Sequence, residues 1–242
     1  MSVDVPWKAA PVDGRNYNWL GLAAAADLLF VMSYDERSQV WPSDGTTTTK
    51  CYAGANSPLQ QSIEGVLSYV ELGISPEKLI WGVPWYGYDY TCLARAADGN
   101  AEFIQSRGGD LVQGCEIETV PFRGAPCSDA AGRQLPITAV LAILESGLNT
   151  THVQLDSASM SKAFSYVTDS GELHQIWFDD DETLAFKYAA SEAMNLGGVG
   201  MWNIDCLGYD DTDDPRVAAL NARMIDALPS RPRRAMPTNV KK

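Results

Sequence analysis

The run Leu28-Leu29-Phe30-Val31, continuing through Met32, Ser33, Tyr34, Asp35 and Glu36, constrains this 242-residue chain more than any other stretch. A short apolar segment rich in Leu, Phe and Val reads as a strand of a parallel sheet, buried on both faces. Parallel neighbours need long crossover connections, so helices are expected between the strands. The carboxyl ends of such strands are where ligands bind and chemistry is done. A phenol and two carboxylates stand at this end. Tyr34, Asp35 and Glu36 are therefore either a reaction site or the start of a satisfied loop.

The same alternation of strand and helix recurs along the chain. Strands are expected at residues 2–7, 28–34, 78–85 and 199–203. Helices are expected at 17–26, from Ser57-Pro58 to Gly73, at 182–196, and from Asp214-Pro215 to Leu228. Residues 91–181 break the rhythm. They carry a hairpin signal, Ala163–Val167 against Leu173–Phe178 across Thr168-Asp169-Ser170-Gly171-Glu172. The expected organisation is therefore α/β: strands and helices over 1–90, an inserted α+β lobe over 91–181, a last helix–strand–helix over 182–228, and a disordered tail over 229–242. The Asp44–Lys50 insert reads as a mobile surface excursion. Four parallel strands cannot close a barrel. They form either a small open sheet or the C-terminal half of a (β/α)8 TIM barrel, and a beginning in mid-strand favours the half-barrel.

A formal charge of −13 repels nucleic acid and anionic membrane surfaces, so neither is an expected partner. No apolar run approaches the length of a membrane-spanning helix. The five cysteines lack C-x-x-C spacing and only two histidines, His152 and His174, are present, so no metal and no cofactor is expected. Scattered cysteines beside the sequon Asn149-Thr150-Thr151 point to disulfides, glycosylation at Asn149 and a secretory route; buried thiols and a chance sequon are the alternative. An odd cysteine count leaves one without a partner. Met1 to Val5 shows neither the basic region nor the apolar core of a signal peptide, which conflicts with that route and suggests a missing N-terminal part.

The strand ends supply Trp7; Tyr34, Asp35 and Glu36; Trp85 and Tyr86; and Met201, Trp202 and Asn203. Aromatic rings at the mouth of a parallel sheet suit sugars, whose apolar faces stack on indole while carboxylates and amides bind the hydroxyls. Taken singly, Trp85 and Trp202 read as core residues more readily than as platforms; three strand ends carrying such rings together reverse that. Adjacent strand residues point to opposite faces, so Asp35 and Glu36 do not make a carboxylate pair across one glycosidic bond unless the backbone breaks there. Glu36 is therefore assigned to loop or solvent, and His174, inside the hairpin, to a structural role.

The stretch VMSYDE resembles the M-x-Y-D strand of the glycoside hydrolase family 18 chitinases, their sixth barrel strand. GVPWYGYDYTCL resembles the seventh strand and GVGMWN the eighth. PFRGAPCSDAAGR, Pro121 to Arg133, resembles one branch of that family. The likeness covers about residues 2 to 228. It implies strands five to eight of the barrel and a substrate-assisted, retaining hydrolysis of β-1,4-linked N-acetylglucosamine sugars, namely chitin oligomers or the chitobiose core of N-glycans. Met32 and Tyr34 would line the acetamido subsite and Asp35 would hold the sugar or the tyrosine network. Trp202 would floor the ring at the scissile bond, and Tyr86 would flank the reducing side. Many family members carry an arginine where Tyr88 stands. The family's general acid closes the pattern D-x-x-D-x-D-x-E, which does not occur here. The resemblance thus implies a lysosomal or secreted parent enzyme whose missing N-terminal half brings the acid, and no hydrolysis by this chain alone. A non-catalytic, lectin-like sugar-binding protein and an unrelated open α/β domain are the competing readings.

Overall fold

The structure, a computed structural model, describes residues 1–12, 15–39, 50–93, 103–105, 111–123, 125–209 and 214–229. The expectations for residues 44–49 and for the tail from 230 onward lie outside them, as do residues 94–102, 106–110 and 124 of the expected lobe.

Four parallel strands lie side by side in chain order: Ser2–Pro6, Leu28–Met32, Leu79–Pro84 and Gly198–Trp202. Their register aligns Val5, Val31, Trp81 and Val199 in one row and Pro6, Met32, Gly82 and Gly200 in the next. The two faces differ. Leu29, Val31, Leu79, Trp81, Val83 and Trp85 form a fully buried face, each aliphatic side chain worth about 1.5–3 kcal/mol relative to exposure. They pack in one core with Val66 and Tyr69 of helix Leu59–Glu71, Leu184 and Tyr188 of helix Asp181–Ala193, and Leu220 and Met224 of helix Pro215–Asp226.

The opposite face is only partly covered, and Leu28 is 37% exposed. Burial on both faces was expected; among the described residues only one face has a helical layer over it. On the open face the Phe30 ring lies across two neighbouring strands. A Cβ at Gly82 or Gly200 would come within 2.3 or 2.4 Å of it, so glycine at both positions is what lets the ring lie flat on the sheet.

Helix boundaries follow the sequence signals with one difference. Asp214 caps and Pro215 opens the last helix, and Gly73 ends the Leu59–Glu71 helix at φ +93°. That helix begins after Pro58 without a side-chain cap. Ser57 Oγ instead pairs with Ser62 Oγ at 3.2 Å.

Directly after Pro84 the chain leaves the parallel sheet. Tyr86–Thr91 pairs antiparallel with Gly132–Pro136 on one side and Leu173–Phe178 on the other. The sheet continues through Ser161–Val167, which pairs with Leu173–Phe178 as the hairpin expected, and then to Asn149–Thr150 and Gln154–Asp156. Helix Ile137–Glu145 packs on this sheet and contributes Ile137 and Val140 to the main core. Disulfides join Cys51 to Cys127 and Cys92 to Cys115, and Cys206 is free.

Where hairpin, sheet and helix meet, Lys187 Nζ donates to Asp179 Oδ2 at 2.5 Å with both side chains buried, and Ser161 Oγ donates to Asp179 Oδ1 at 3.1 Å. Removing one member of a buried pair strands the other charge, whereas replacing both with apolar groups does not. Lys187→Met is expected to cost about 3–5 kcal/mol in urea unfolding. The double variant Lys187→Met/Asp179→Leu should recover most of that loss.

Candidate active site

The second strand ends at Met32, and two residues on, after Tyr34, the backbone turns sharply. Asp35 adopts a left-handed conformation at φ +49°, and Glu36 opens the short helix Glu36–Gln39. Asn56, itself buried, holds this turn. Its Oδ1 accepts the Asp35 amide at 2.7 Å, its carbonyl accepts the Glu36 amide at 3.4 Å, and its Nδ2 donates to the Tyr86 carbonyl at 3.5 Å. Acid side chains tolerate left-handed backbone better than most, but the conformation still needs such a holder.

The turn swings the Asp35 carboxylate onto the tyrosines of the next segment. In Tyr86-Gly87-Tyr88-Asp89-Tyr90 strand alternation puts the three phenols on one face and Asp89 on the other. Tyr86 and Tyr88 both donate to Asp35 Oδ1, at 2.6 and 2.8 Å. Gln134 Nε2 donates to the Tyr88 hydroxyl at 3.0 Å. Tyr90 donates to Asp129 Oδ1 at 3.0 Å. Across the sheet, Asp89 is gripped by Tyr166, Arg133 and His174 at 3.0, 3.1 and 2.9 Å, so His174 belongs to a buried structural cluster.

Burial pushes the Asp35 carboxyl above its usual range, against the two phenol hydrogen bonds that lower it. Burial and the nearby Asp4 and Asp35 carboxylates raise the Tyr34 phenol, and burial with the Asp35 charge raises Tyr86. The phenols are therefore proton-bearing donors at neutral and acid pH. Asp35 Oδ1 takes both hydrogen bonds, and Oδ2 carries none from the described residues.

The sequence-predicted residues separate into two groups. Tyr34, Asp35, Tyr86 and Trp202 come together: the Tyr34 ring lies 6.2 Å from Trp202 at 24° and 6.2 Å from Tyr86 edge-on. Trp202 is 50% exposed, an open indole beside buried donors. Met32, partly buried, shares the open sheet face. Trp85 does not join them. It is 0% exposed in the core, with Nε1 donating to the Tyr188 hydroxyl at 3.3 Å, so no face remains for a sugar. Trp7 is likewise buried, packed on Gly65. Asn203 follows Trp202, and its Oδ1 accepts the Cys206 thiol at 3.4 Å.

Glu36, assigned to loop or solvent, is fully buried, because the turn at Asp35 resets the side-chain direction. Asn56, Asp129 and Gln134 had no signal in the sequence. Tyr88 and Tyr90 did, in the every-second-residue spacing of the tyrosines. Among the described residues no cluster of three His, Cys, Asp or Glu is placed to hold a metal, and no helix is long and apolar enough to cross a membrane.

Residues 2–206 match Glycosyl hydrolases family 18, and the chain belongs to that family. It is 40% identical over 211 residues to di-N-acetylchitobiase of Mus musculus, covering 87% of this chain and 51% of that protein. The Homo sapiens di-N-acetylchitobiase is 40% identical over 209 residues, covering 86% and 48%. The chain thus spans about half the length of these relatives. Among solved structures, a chitinase from Chromobacterium violaceum shares the fold with a TM-score of 0.61 at 21% identity, over 95% of this chain and 56% of that one. A family 18 chitinase from Cycas revoluta in complex with (GlcNAc)3 gives 0.60 at 18% identity, over 93% and 55%.

Two buried carboxyls give the fold a pH dependence of definite sign. Burial raises Glu36 from 4.5 to about 8, outweighing its Ser62 hydrogen bond and the Lys187 charge. Burial raises Asp129 from 3.8 to about 6, with the Arg37 charge opposing. Both bind protons more tightly folded than unfolded, so their contribution is complete below the unfolded values. It is lost as pH rises through about 6 for Asp129 and about 8 for Glu36. Thermal unfolding is therefore expected at higher temperature near pH 4.5 than at pH 8. Glu36→Gln should flatten that dependence; an unchanged slope would contradict the assignment.

Proposed function

We propose that this chain is the C-terminal half, strands five to eight, of a (β/α)8-barrel glycosidase acting on N-acetylglucosamine-containing β-1,4-linked sugars. In this reading a lobe is inserted between the last two barrel strands; it was expected over 91–181, but its sheet already includes the strand Tyr86–Thr91, so it begins at Tyr86. The single observation that carries the reading is the Tyr34–Trp202 ring pair beside the phenol-held Asp35, at the carboxyl ends of parallel strands. Family membership and the identity to di-N-acetylchitobiases support the substrate class.

In the parent enzyme the sugar lies on Trp202 with its acetamido group turned toward Met32 and Tyr34. Tyr34, a retained phenol, donates to the acetamido carbonyl. That holds the oxygen in line to attack C1 as the leaving-group bond breaks. Asp35 presents Oδ2 to the sugar while Tyr86 and Tyr88 hold Oδ1. A sugar amide used as nucleophile removes the need for a second carboxylate from the protein. One carboxylic acid is still required to protonate the leaving oxygen, and that group lies outside this chain. Loss of such an acid costs about two to four orders of magnitude in rate. The two disulfides and the exposed Asn149, on an edge strand, support a glycosylated protein of the lysosome or the secretory route.

Calorimetric titration of this chain with N,N′-diacetylchitobiose and longer oligomers tests the reading. Trp202→Ala is expected to weaken binding about tenfold or more, the loss that follows when a stacking ring worth about 1.4 kcal/mol is removed. Trp85→Phe should change affinity little. No N-acetylglucosamine should be released at pH 5 by the chain alone. Unchanged affinity in Trp202→Ala, or turnover without an added acid, would overturn the proposal. The absence of the D-x-x-D-x-D-x-E pattern equally favours a sugar-binding protein without catalysis. An upstream reading frame encoding that pattern separates the two.

A further inference from the structure

The segment PFRGAPCSDAAGR carries the resemblance to one branch of the family, and the contacts given for its Cys127 to Gly132, and for Gln134 beyond it, do not reach the Tyr34–Trp202 ring pair. Their contacts converge elsewhere. Cys127 is tied to Cys51. Asp129 Oδ2 accepts from Ser38 Oγ at 3.1 Å while the Asp129 amide donates back to the same oxygen at 3.0 Å. Ser38 lies in the Glu36–Gln39 helix, and its amide donates to the Asp35 carbonyl at 2.8 Å. Gly132 lets the strand pass the tyrosine rings: a Cβ there would meet Tyr90 at 2.7 Å and Tyr88 at 3.2 Å. Gln134 donates to the Tyr88 hydroxyl, which in turn donates to Asp35.

We propose that residues 127–134 are a brace that positions Asp35, gripping the turn behind it through Asp129 and Ser38 and the carboxylate in front through Gln134 and Tyr88. Asp129 and Gln134 are thereby positioning residues, acting through other groups and without touching substrate. Two anchors fix what one could not. The Asp129–Ser38 exchange sets where the turn sits, and the Gln134–Tyr88 pair sets which way the carboxylate faces. With Oδ1 occupied by two phenols, Oδ2 is the oxygen left for a ligand. The disulfide holds the start of the brace to the segment at Cys51, so the grip does not depend on the exposed side of the lobe. The inference rests on Asp35 being a substrate-holding residue, but the grip itself is testable without substrate.

The titratable groups facing Asp35 are Tyr34, Tyr86 and Tyr88, with Asp129 behind and Arg37 beside Asp129. Carboxyl-13C-aspartate NMR of the whole chain, with the Asp35 signal assigned by its loss in Asp35→Asn, reads the brace directly. Tyr88→Phe removes a donor from the carboxylate and should shift the Asp35 midpoint upward. Gln134→Leu, at an exposed position, should shift it the same way by less. Asp129→Asn keeps a neutral group where the carboxyl is proton-bearing below about 6, so it should leave the midpoint nearly in place while changing the Asp35 chemical shift through the turn. Arg133→Ala, whose side chain reaches Asp89 on the other sheet face, should leave it in place. A moved midpoint at one anchor and a changed chemical shift with the midpoint in place at the other are not produced by general loosening. Should Asp129→Asn fail to fold, Ser38→Ala tests the same anchor, and its expected readout is a changed Asp35 chemical shift.

Midpoints unmoved by Tyr88→Phe and Gln134→Leu in folded protein, or an Asp35 chemical shift unchanged by Asp129→Asn and Ser38→Ala, would overturn the brace. Titration of the same variants with N,N′-diacetylchitobiose adds the link to function, with Gln134→Leu expected to weaken binding several-fold. NMR shifts without sugar binding in the parent chain would leave the brace standing and refute the sugar reading. Sugar binding with no NMR shifts would do the reverse.

Discussion

Trp85 is the pin on which both sheets turn. Its amide donates to the Trp202 carbonyl at 2.9 Å, closing the third and fourth parallel strands at their carboxyl ends. Its carbonyl accepts the Ile137 amide at 3.3 Å, and its indole N–H reaches Tyr188 of the Asp181–Ala193 helix. One buried residue thus binds the parallel sheet, the antiparallel sheet with its helix, and the helical layer. The chain changes sheets between Pro84 and Tyr86, and a bulky side chain packed on all sides fixes that change of direction. Everything at the site follows from it, because Tyr86 and Tyr88 meet Asp35 only if the strand leaves at this angle.

The electrostatics then follow from burial. Asp35, Glu36 and Asp129 all sit where water is largely excluded, and each is raised by that burial first. What separates them is the company each keeps. Asp35 has two phenols and one oxygen without a hydrogen bond from the described residues, which is the oxygen the proposed function gives to the sugar. Asp129 has its oxygens taken by Tyr90 and Ser38. Glu36 is enclosed against Ser62 with no path to the ring pair. Adjacent in sequence, Asp35 and Glu36 are thus separated by a single backbone turn into a site residue and a core residue.

Much of this was legible from periodicity. The four strands, the hairpin and the capped helices were all written in apolar spacing and in Asp-Pro or Gly punctuation. Trp85 and Trp202 show where that reading stopped. Both are indoles at strand ends, equivalent by composition, and only parity tells them apart. Trp85 shares its parity with Trp81 and Val83, which face the helices; Trp202 shares its parity with Gly198 and Gly200, which lie on the open face. Glu36 was misplaced for a related reason. Strand alternation was carried past Met32, whereas the backbone had already left the strand by the left-handed Asp35. Asn56, Asp129 and Gln134 lie 21, 94 and 99 positions from Asp35, and no local pattern announces a contact made at that separation.

The open side of the parallel sheet and the incompleteness of the site are one feature. Strands Ser2–Pro6 and Gly198–Trp202 stand at the two edges, each with one row of backbone groups unpaired by another strand among the described residues. Exposed parallel edges are a liability that folds remove by pairing or covering. Trp202 is itself an edge residue, and Tyr34 and Asp35 end the strand next to the other edge. A ligand lying on Trp202 therefore meets protein on one side only. Further strands added at these edges would cover the Phe30 face and supply the opposing wall with the same step. In the proposed reading, what limits sugar binding by this chain alone is how few walls surround the ligand, and not the placement of Tyr34, Asp35 and Trp202, which the pin at Trp85 and the clasp at Asn56 already hold.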